Sequence, residues 1–327
     1  MKVVDMHCDT ISELYALRQK DEAGSLMQNR LHLDLQKMRQ GDYGLQNFAL
    51  YVNLQEHTDV FAYAKELVRL FYEELDQNQE LIGAVRSWSD IRVNWQAGKM
   101  SAMLTLEEGG ICQGELEKLY YFYDQGARMM TLTWNYENEL AYPHYCIDGI
   151  WKPDPDRGLK KKGIEFVEEM ERIGMIIDVS HLNDAGIRDV FTHTRKPFVA
   201  SHSNARAVAG HPRNLTDEML RQLAQRGGVA GINYMSFFLR DEEGPIRPLP
   251  SPMSEMIRHM KHMKQIGGIG CIGLGSDFDG IPSLVEFKDA AGLPKLADEM
   301  RKEGFTENEV EAVFHKNVLR VYQEILV

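Results

Sequence analysis

The segment VVDMHCDT, residues 3–10, closes an apolar run with His7 and Asp9, separated by Cys8. In an extended strand alternate side chains share a face, so these two polar groups point the same way, as a pair of metal ligands does. Taken alone, the pair fits equally well with a strand end emerging into solvent. Four more residues of the same chemical kind stand elsewhere: Glu107 in LTLEEGG, His181 in DVSHLND, His202 in VASHSN and Asp277 in GLGSDFDG. Imidazole and carboxylate together suit borderline divalent ions such as zinc. Three histidines and three carboxylates exceed what one tetrahedral site uses, so the set is large enough for two metals.

Residues this far apart in sequence act together only if the fold brings them to one place. Short apolar, β-rich runs recur at residues 2–9, 45–53, 101–107, 128–135, 174–180, 198–203, 228–234 and 271–278, with helical patterns between them. That alternation predicts βα units and a parallel sheet, and eight parallel strands close naturally into a barrel. The expected fold class is therefore α/β, a (β/α)8 TIM-like barrel of the metal-dependent hydrolase type. Catalytic groups of such barrels sit at the C-terminal ends of the strands. His7 with Asp9, then Glu107, His181, His202 and Asp277, end or follow the first, third, fifth, sixth and eighth runs. A lone histidine at a strand end is usually a hydrogen-bonded structural residue. Ligand-type side chains at the same end of five strands are hard to attribute to accident.

The outer elements are also legible. Residues 60–75 are amphipathic, residues 163–174 end in a capping-type glycine, and residues 215–228 begin at a Thr216 N-cap. A Thr306 and Glu309 capping box opens a C-terminal helix with no strand after it, expected to pack on the barrel. The stretches 135–158 and 237–252, rich in Pro, Gly and Asp, read as long βα loops that shape the site. Residues 1–327 thus read as a single barrel domain.

Composition narrows the partners. Hydrophobic residues make up 43% and charged residues 26%, as expected of a soluble protein with a sizeable core. The formal charge of -12, from 49 acidic against 37 basic residues, argues against a basic groove for nucleic acid and favours small substrates. No basic region followed by a long apolar stretch marks the N-terminus, so neither a signal peptide nor a membrane partner is expected. Four widely spaced cysteines without a CxxC pair suggest neither a disulfide framework nor a zinc ribbon, and point to a reducing cytoplasm. The sequence is compatible with a homo-oligomer.

The HxD of DMHCDT, then LEEGG, DVSHLND, SHSNARAV, PRNL and GLGSDFDG, occur in the order characteristic of the membrane dipeptidase family of zinc-dependent dipeptidases, which this chain resembles from residue 7 to 280. It looks like a bacterial-type, cytoplasmic member; the family's animal enzymes are secreted and lipid-anchored, and this chain shows no such signals. The resemblance implies a metal-dependent dipeptidase that cleaves small dipeptides, L,D-dipeptides among the candidates, with two zinc ions per chain bridged by a glutamate and a hydroxide. By position it implies His7, Asp9 and Glu107 around one zinc and Glu107, His181 and His202 around the other. It further implies Asp277 as the group that handles the proton, and Arg213 of HPRN as the clamp on the substrate's carboxylate.

General chemistry agrees with those roles. Two cations flanking one water lower its pKa and polarise a carbonyl, a carboxylate can take a proton and return it to a departing amine, and a guanidinium fork matches a carboxylate bidentately. Two features leave choices open. Glu108 adjoins Glu107, and either could bridge; the family's spacing favours Glu107, with Glu108 on the opposite side of the strand. Where the family's best-known members carry a substrate-binding histidine at the end of strand four, this chain has Trp134. His144 and Asn135 are the candidates to replace its contact, and an altered substrate preference is the alternative. Two other functions compete: another amidohydrolase-type metal-dependent hydrolase acting on a small amide, and a catalytically silent barrel used as a binding module. HxD in place of HxH and the lack of a lysine after strand four count against the first, and a full ligand set counts against the second.

Overall fold

Eight of the apolar runs form parallel strands: β1 (Val3–Asp5), β2 (Tyr43–Tyr51), β3 (Met100–Glu107), β4 (Met129–Thr131), β5 (Ile176–Asp178), β6 (Val199–Ala200), β7 (Val229–Ile232) and β8 (Ile272–Leu274). Each pairs with the next, and β8 pairs back to β1 through Leu274 and Asp5, which closes the ring. Helices lie between the strands and cover the sheet, so the expected (β/α)8 barrel is the observed one. Burial on both faces explains why these strands read as continuous apolar runs rather than as alternating ones. The computed structural model describes residues 1–147, 150–154 and 156–326. Residues 148, 149 and 155 of the expected 135–158 loop, and residue 327, lie outside the described residues.

Three local features were not legible in the sequence. A further strand, Ile82–Val85, runs beside the N-terminal half of β3 at Met100–Met103, while β4 takes the C-terminal half at Thr105–Glu107. Four residues centred on Gly83 and Ala84 carry too little apolar pattern to announce a strand. The 135–158 loop holds an antiparallel hairpin of Tyr145–Ile147 with Ile150–Lys152. The 237–252 loop starts with a one-turn helix, Ser236–Leu239, and ends in Pro250–Ser251, which pairs with Leu284–Val285.

The helix signals behave as their chemistry requires. Asp59 caps the helix Val60–Gln77 by accepting from the Ala62 N–H, and Thr216 accepts from the Met219 N–H at the start of Asp217–Gln225. Gly174, at φ 78°, ends Lys161–Ile173 in the left-handed conformation that glycine adopts without strain. The Thr306 and Glu309 capping box is formed.

The C-terminal segment runs through Glu307–Glu311, a π-helical turn at Ala312–Lys316 and Asn317–Ile325. It closes the N-terminal mouth of the barrel: Val318, Val321, Tyr322 and Ile325 pack with Val4, Leu45, Met103, Met129, Ile176, Val199 and Val229, which come from seven barrel strands. Asn317 Nδ2 ties it to β8 by donating to the carbonyls of Ile269 and Ile272, at 2.7 and 2.9 Å. Asn47 Nδ2 reaches the Tyr322 hydroxyl at 2.6 Å. Tyr322 is fully buried, so Tyr322→Ala should lower unfolding free energy by about 3 to 5 kcal/mol. Urea unfolding followed by circular dichroism measures this; a loss under about 1 kcal/mol would mean the helix only lies against the barrel. Sealing this end leaves the opposite mouth for chemistry. No helix among the described residues is long and apolar enough to cross a membrane.

Candidate active site

Past β1 the chain bends at Met6 and Cys8 bridges to Phe278, and His7 and Asp9 both reach the mouth. Asp9 sits at the N-cap position of the helix Thr10–Gln19. Glu107 is the last residue of β3, His181 lies three residues beyond β5, His202 two beyond β6 and Asp277 three beyond β8. His181 and Asp277 have φ of 67° and 60°. Left-handed backbone outside glycine concentrates at functional sites, and Asp and His are among the residues that tolerate it best.

These side chains converge on the Glu107 carboxylate. Its Oε2 lies 3.1 Å from His7 Nε2. Its Oε1 lies 3.1 Å from His181 Nε2 and 3.7 Å from His202 Nε2. His7 Nε2 is also 3.4 Å from Asp9 Oδ2 and 3.9 Å from Asp277 Oδ1. All six residues are buried. Two subsets have ligand atoms within metal-chelating reach of one another: His7, Glu107 and His202, and His7, Asp9 and Asp277. Asp277 is therefore as close to His7 as a ligand would be, although the sequence assigned it to proton handling.

Hydrogen bonding fixes which ring nitrogens are available. His181 Nδ1 lies 2.8 Å from Asn135 Oδ1, an atom that can only accept, so Nδ1 carries the proton. His202 Nδ1 lies 2.7 Å from Ser201 Oγ, whose own proton goes to Asp178 Oδ2 at 2.5 Å, so again Nδ1 donates. Burial, with the charges of Arg213 and His7, pushes His181 down to about 4; burial and His7 hold His202 well below the usual imidazole range. Both rings are neutral at pH 7, and their Nε2 lone pairs face each other at 2.9 Å. Two lone pairs at that distance repel unless an electron-poor centre lies against them. Neither nitrogen of His7 makes an aligned hydrogen bond, and Asp9 Oδ1 has no partner among the described residues. Neutral imidazoles, buried carboxylates and orphaned donor atoms are what a divalent cation completes.

The charges agree. Burial opposes ionisation of Glu107, yet the charge of His7 and the close approach of the His181 and His7 rings hold its carboxyl well below the usual range. Burial and the Glu107 charge push Asp9 well above that range. Burial likewise raises Asp277, against the pull of His7. Burial works against a charge on His7, and Glu107 with Asp9 overcome it to hold the imidazolium well above normal. The cluster draws in positive charge.

A cavity of about 280 Å³ opens over this cluster, lined by Asp9, Glu107, His181 and Asp277 and walled by Tyr51, Trp134, Asn135, Trp151 and Phe238. That is the small end of the ligand-pocket range. The sequence candidates Trp134 and Asn135 are in its wall, and Asn135 also orients His181. His144 lies outside the lining of this cavity: Asp184 Oδ1 engages its Nε2 at 3.0 Å and the Asp154 N–H donates to its Nδ1 at 3.0 Å. Arg213 is buried against the Phe238 ring, 5.4 Å from its centroid, and makes only long contacts, 3.4 Å to Ser203 Oγ and 3.5 Å to the His202 carbonyl. Glu108 turns away: at φ 102° its carboxylate accepts from the N–H groups of Gly110 and Trp134 and from Asn138. His259 is buried behind the site, with the Ala205 N–H donating to its Nδ1 and Nε2 donating to the Leu239 carbonyl.

Sequence reading missed Tyr51 and Asn233. Tyr51 ends β2 and is the register partner of Glu107, which puts its ring beside the cluster. Asn233, just past β7, donates to Asp277 Oδ2 at 2.9 Å. The strand-end rule that found the other candidates would have found both.

A closed parallel barrel with this donor cluster at its C-terminal mouth is the architecture of a metal-dependent hydrolase. The chain belongs to the membrane dipeptidase family, peptidase family M19, whose model matches residues 1–326. It is 32% identical to an uncharacterized dipeptidase of Schizosaccharomyces pombe over 99% of this chain and 80% of that one. Among solved structures it is similar to the dipeptidase AC, a metallo peptidase of the same family (TM-score 0.87, 26% identity, 100% and 99% of the two chains). It is likewise similar to a metallo peptidase from Rhodobacter sphaeroides liganded with a phosphinate mimic of the dipeptide L-Ala-D-Ala (TM-score 0.86, 25% identity, 99% of each chain). The protein is accordingly an enzyme, a metallopeptidase of dipeptidase type.

Proposed function

We propose that this enzyme hydrolyses the peptide bond of free dipeptides, L,D-dipeptides included, with two zinc ions, one held by His7, Asp9 and Glu107 and the other by Glu107, His181 and His202. The observation that carries this reading is the Glu107 carboxylate, whose two oxygens face separate donor sets at 3.1 Å. When bound, the ions supply Lewis-acid polarisation of the scissile carbonyl and a water of lowered pKa. The remaining work belongs to the chain. Asn135 and Ser201 present the lone pairs of His181 and His202. Asp277, steered by Asn233, accepts the proton of the attacking water through its other oxygen and returns it to the departing amine. Trp134, Tyr51 and Phe238 limit the water around the reacting bond. Arg213 holds the free carboxylate: it is a buried cation whose Nε has no partner, and among the described residues no carboxylate forms an ion pair with it.

The Rhodobacter sphaeroides ligand supports the inclusion of L,D-dipeptides. A dipeptide library containing L,L and L,D pairs, assayed with zinc-loaded enzyme, tests the substrate class. Turnover confined to non-peptide amides would overturn it. Elemental analysis of active, metal-replete protein should give about two zinc ions per chain, since a shared carboxylate among six donors exceeds one tetrahedral site. Full activity with stoichiometry near zero would sink the metal assignment.

A further inference from the structure

Asp178, the last residue of β5, is wholly buried in the barrel directly beneath the cluster, and its carboxylate receives four hydrogen bonds. Oδ1 accepts the backbone N–H groups of Ser180 and Ser201 at 2.9 and 2.8 Å. Oδ2 accepts the hydroxyls of Thr131 and Ser201 at 2.7 and 2.5 Å. Among the described residues no basic side chain forms an ion pair with it. Burying a carboxylate is expensive even with the field of the Arg213 cation to offset part of the cost, so a purely structural role would be served by a less costly side chain. Only a carboxylate, however, accepts at all four positions; an amide would turn two acceptors into donors.

Two serines anchored on Asp178 hold His202. Because the Ser201 proton is committed to Asp178, its oxygen can only accept from His202 Nδ1, at 2.7 Å. Ser180, whose N–H is bound by the same carboxylate, accepts the His202 backbone N–H on its Oγ at 3.0 Å. We propose that Asp178 is a positioning residue that acts through Ser201 to lock His202 in the Nδ1–H tautomer, so that Nε2 faces the Glu107 side as a lone pair. The inference rests on the assignment of His202 as a metal ligand. Partners on the far nitrogen of a ligating histidine set its tautomer and basicity in this way.

In Asp178→Asn the amide nitrogen donates to Ser201 Oγ, the Ser201 proton swings to His202 Nδ1, and the proton of the ring moves to Nε2. Nitrogen-15 NMR of histidine-labelled, metal-free protein at neutral pH should show Nδ1–H at His202 in the wild type and Nε2–H in the variant. Titration against a competing chelator should show affinity for one of the two zinc equivalents falling about 10- to 100-fold. Ser201→Ala breaks the relay without touching the carboxylate, should give a tautomer mixture and a smaller loss in the same direction, and decides the matter if Asp178→Asn does not fold. Thr131→Val removes a donor outside the relay and should leave tautomer and affinity as in the wild type. Folded Asp178→Asn and Ser201→Ala proteins that keep the Nδ1–H tautomer and wild-type affinity would overturn the proposal. A wild type that binds no zinc would overturn the dizinc reading instead, and the tautomer measurement would still judge the relay.

Discussion

Asp277→Asn is expected to lower kcat by about 10²- to 10⁴-fold while zinc content stays near that of the wild type. The substitution keeps the shape of the side chain but removes its capacity to exchange a proton. It should also leave the backbone undisturbed, because residue 277 has φ of 60° and asparagine tolerates the left-handed region at least as well as aspartate. The bond from Asn233 Nδ2 can pass to the new amide oxygen, so orientation survives. The competing role is explicit in the geometry: Asp277 Oδ1 stands 3.9 Å from His7 Nε2 and belongs to one of the two candidate chelating groups. Activity and metal content measured on the same sample separate the two. Loss of zinc in step with activity would make Asp277 a ligand and leave the proton to another group.

Arg213→Ala is expected to reduce kcat/KM for a dipeptide by at least about thirtyfold, the equivalent of roughly 2 to 5 kcal/mol of transition-state binding. Burial draws the guanidinium down to about 10, with Asp277 and Glu107 opposing the shift, so it remains a cation at neutral pH. Its hydrogen-bonding capacity is poorly used, with contacts of 3.4 and 3.5 Å and a bare Nε. A substrate carboxylate would complete it. The wild type should therefore prefer a dipeptide to its C-terminal amide, and Arg213→Ala should narrow that gap, since the variant no longer distinguishes them by charge. Wild-type enzyme that cleaves the amide as well as the free acid would remove Arg213 from substrate recognition. The position of Arg213 beside Phe238, rather than in the cavity wall itself, makes this comparison decisive.

The metal-type residues were readable because strands and barrels impose simple rules. A two-residue period places His7 and Asp9 on one face, and the strand-end rule picks out Glu107, His181, His202 and Asp277 without knowledge of any contact. Helix boundaries at Thr216, Gly174 and Thr306 were readable for a similar reason, since each depends on local chemistry: a threonine side chain bonding a backbone N–H three residues on, or a glycine free to turn left-handed. The placements that no local rule announces share a cause too. The ring of His144 is oriented by Asp184, forty positions later in the chain, and by the Asp154 N–H. His259 is likewise held by backbone groups of the distant residues Ala205 and Leu239.

By itself the sequence determined the barrel class, the family, and the side chains offered at the mouth, because those follow from local periodicity and from the order of short motifs. Tertiary structure alone decided the rest. It swung Glu108, at a φ of 102°, onto Gly110, Trp134 and Asn138 and left Glu107 facing the cluster. It sent the C-terminal helix into the opposite mouth, where apolar side chains from seven strands needed cover. It also set the tautomers of His181 and His202, through Asn135, Ser201 and Asp178. Those choices depend on which distant groups meet once the ring closes, and a hydrogen bond between strands leaves no trace in the spacing of residues along either one.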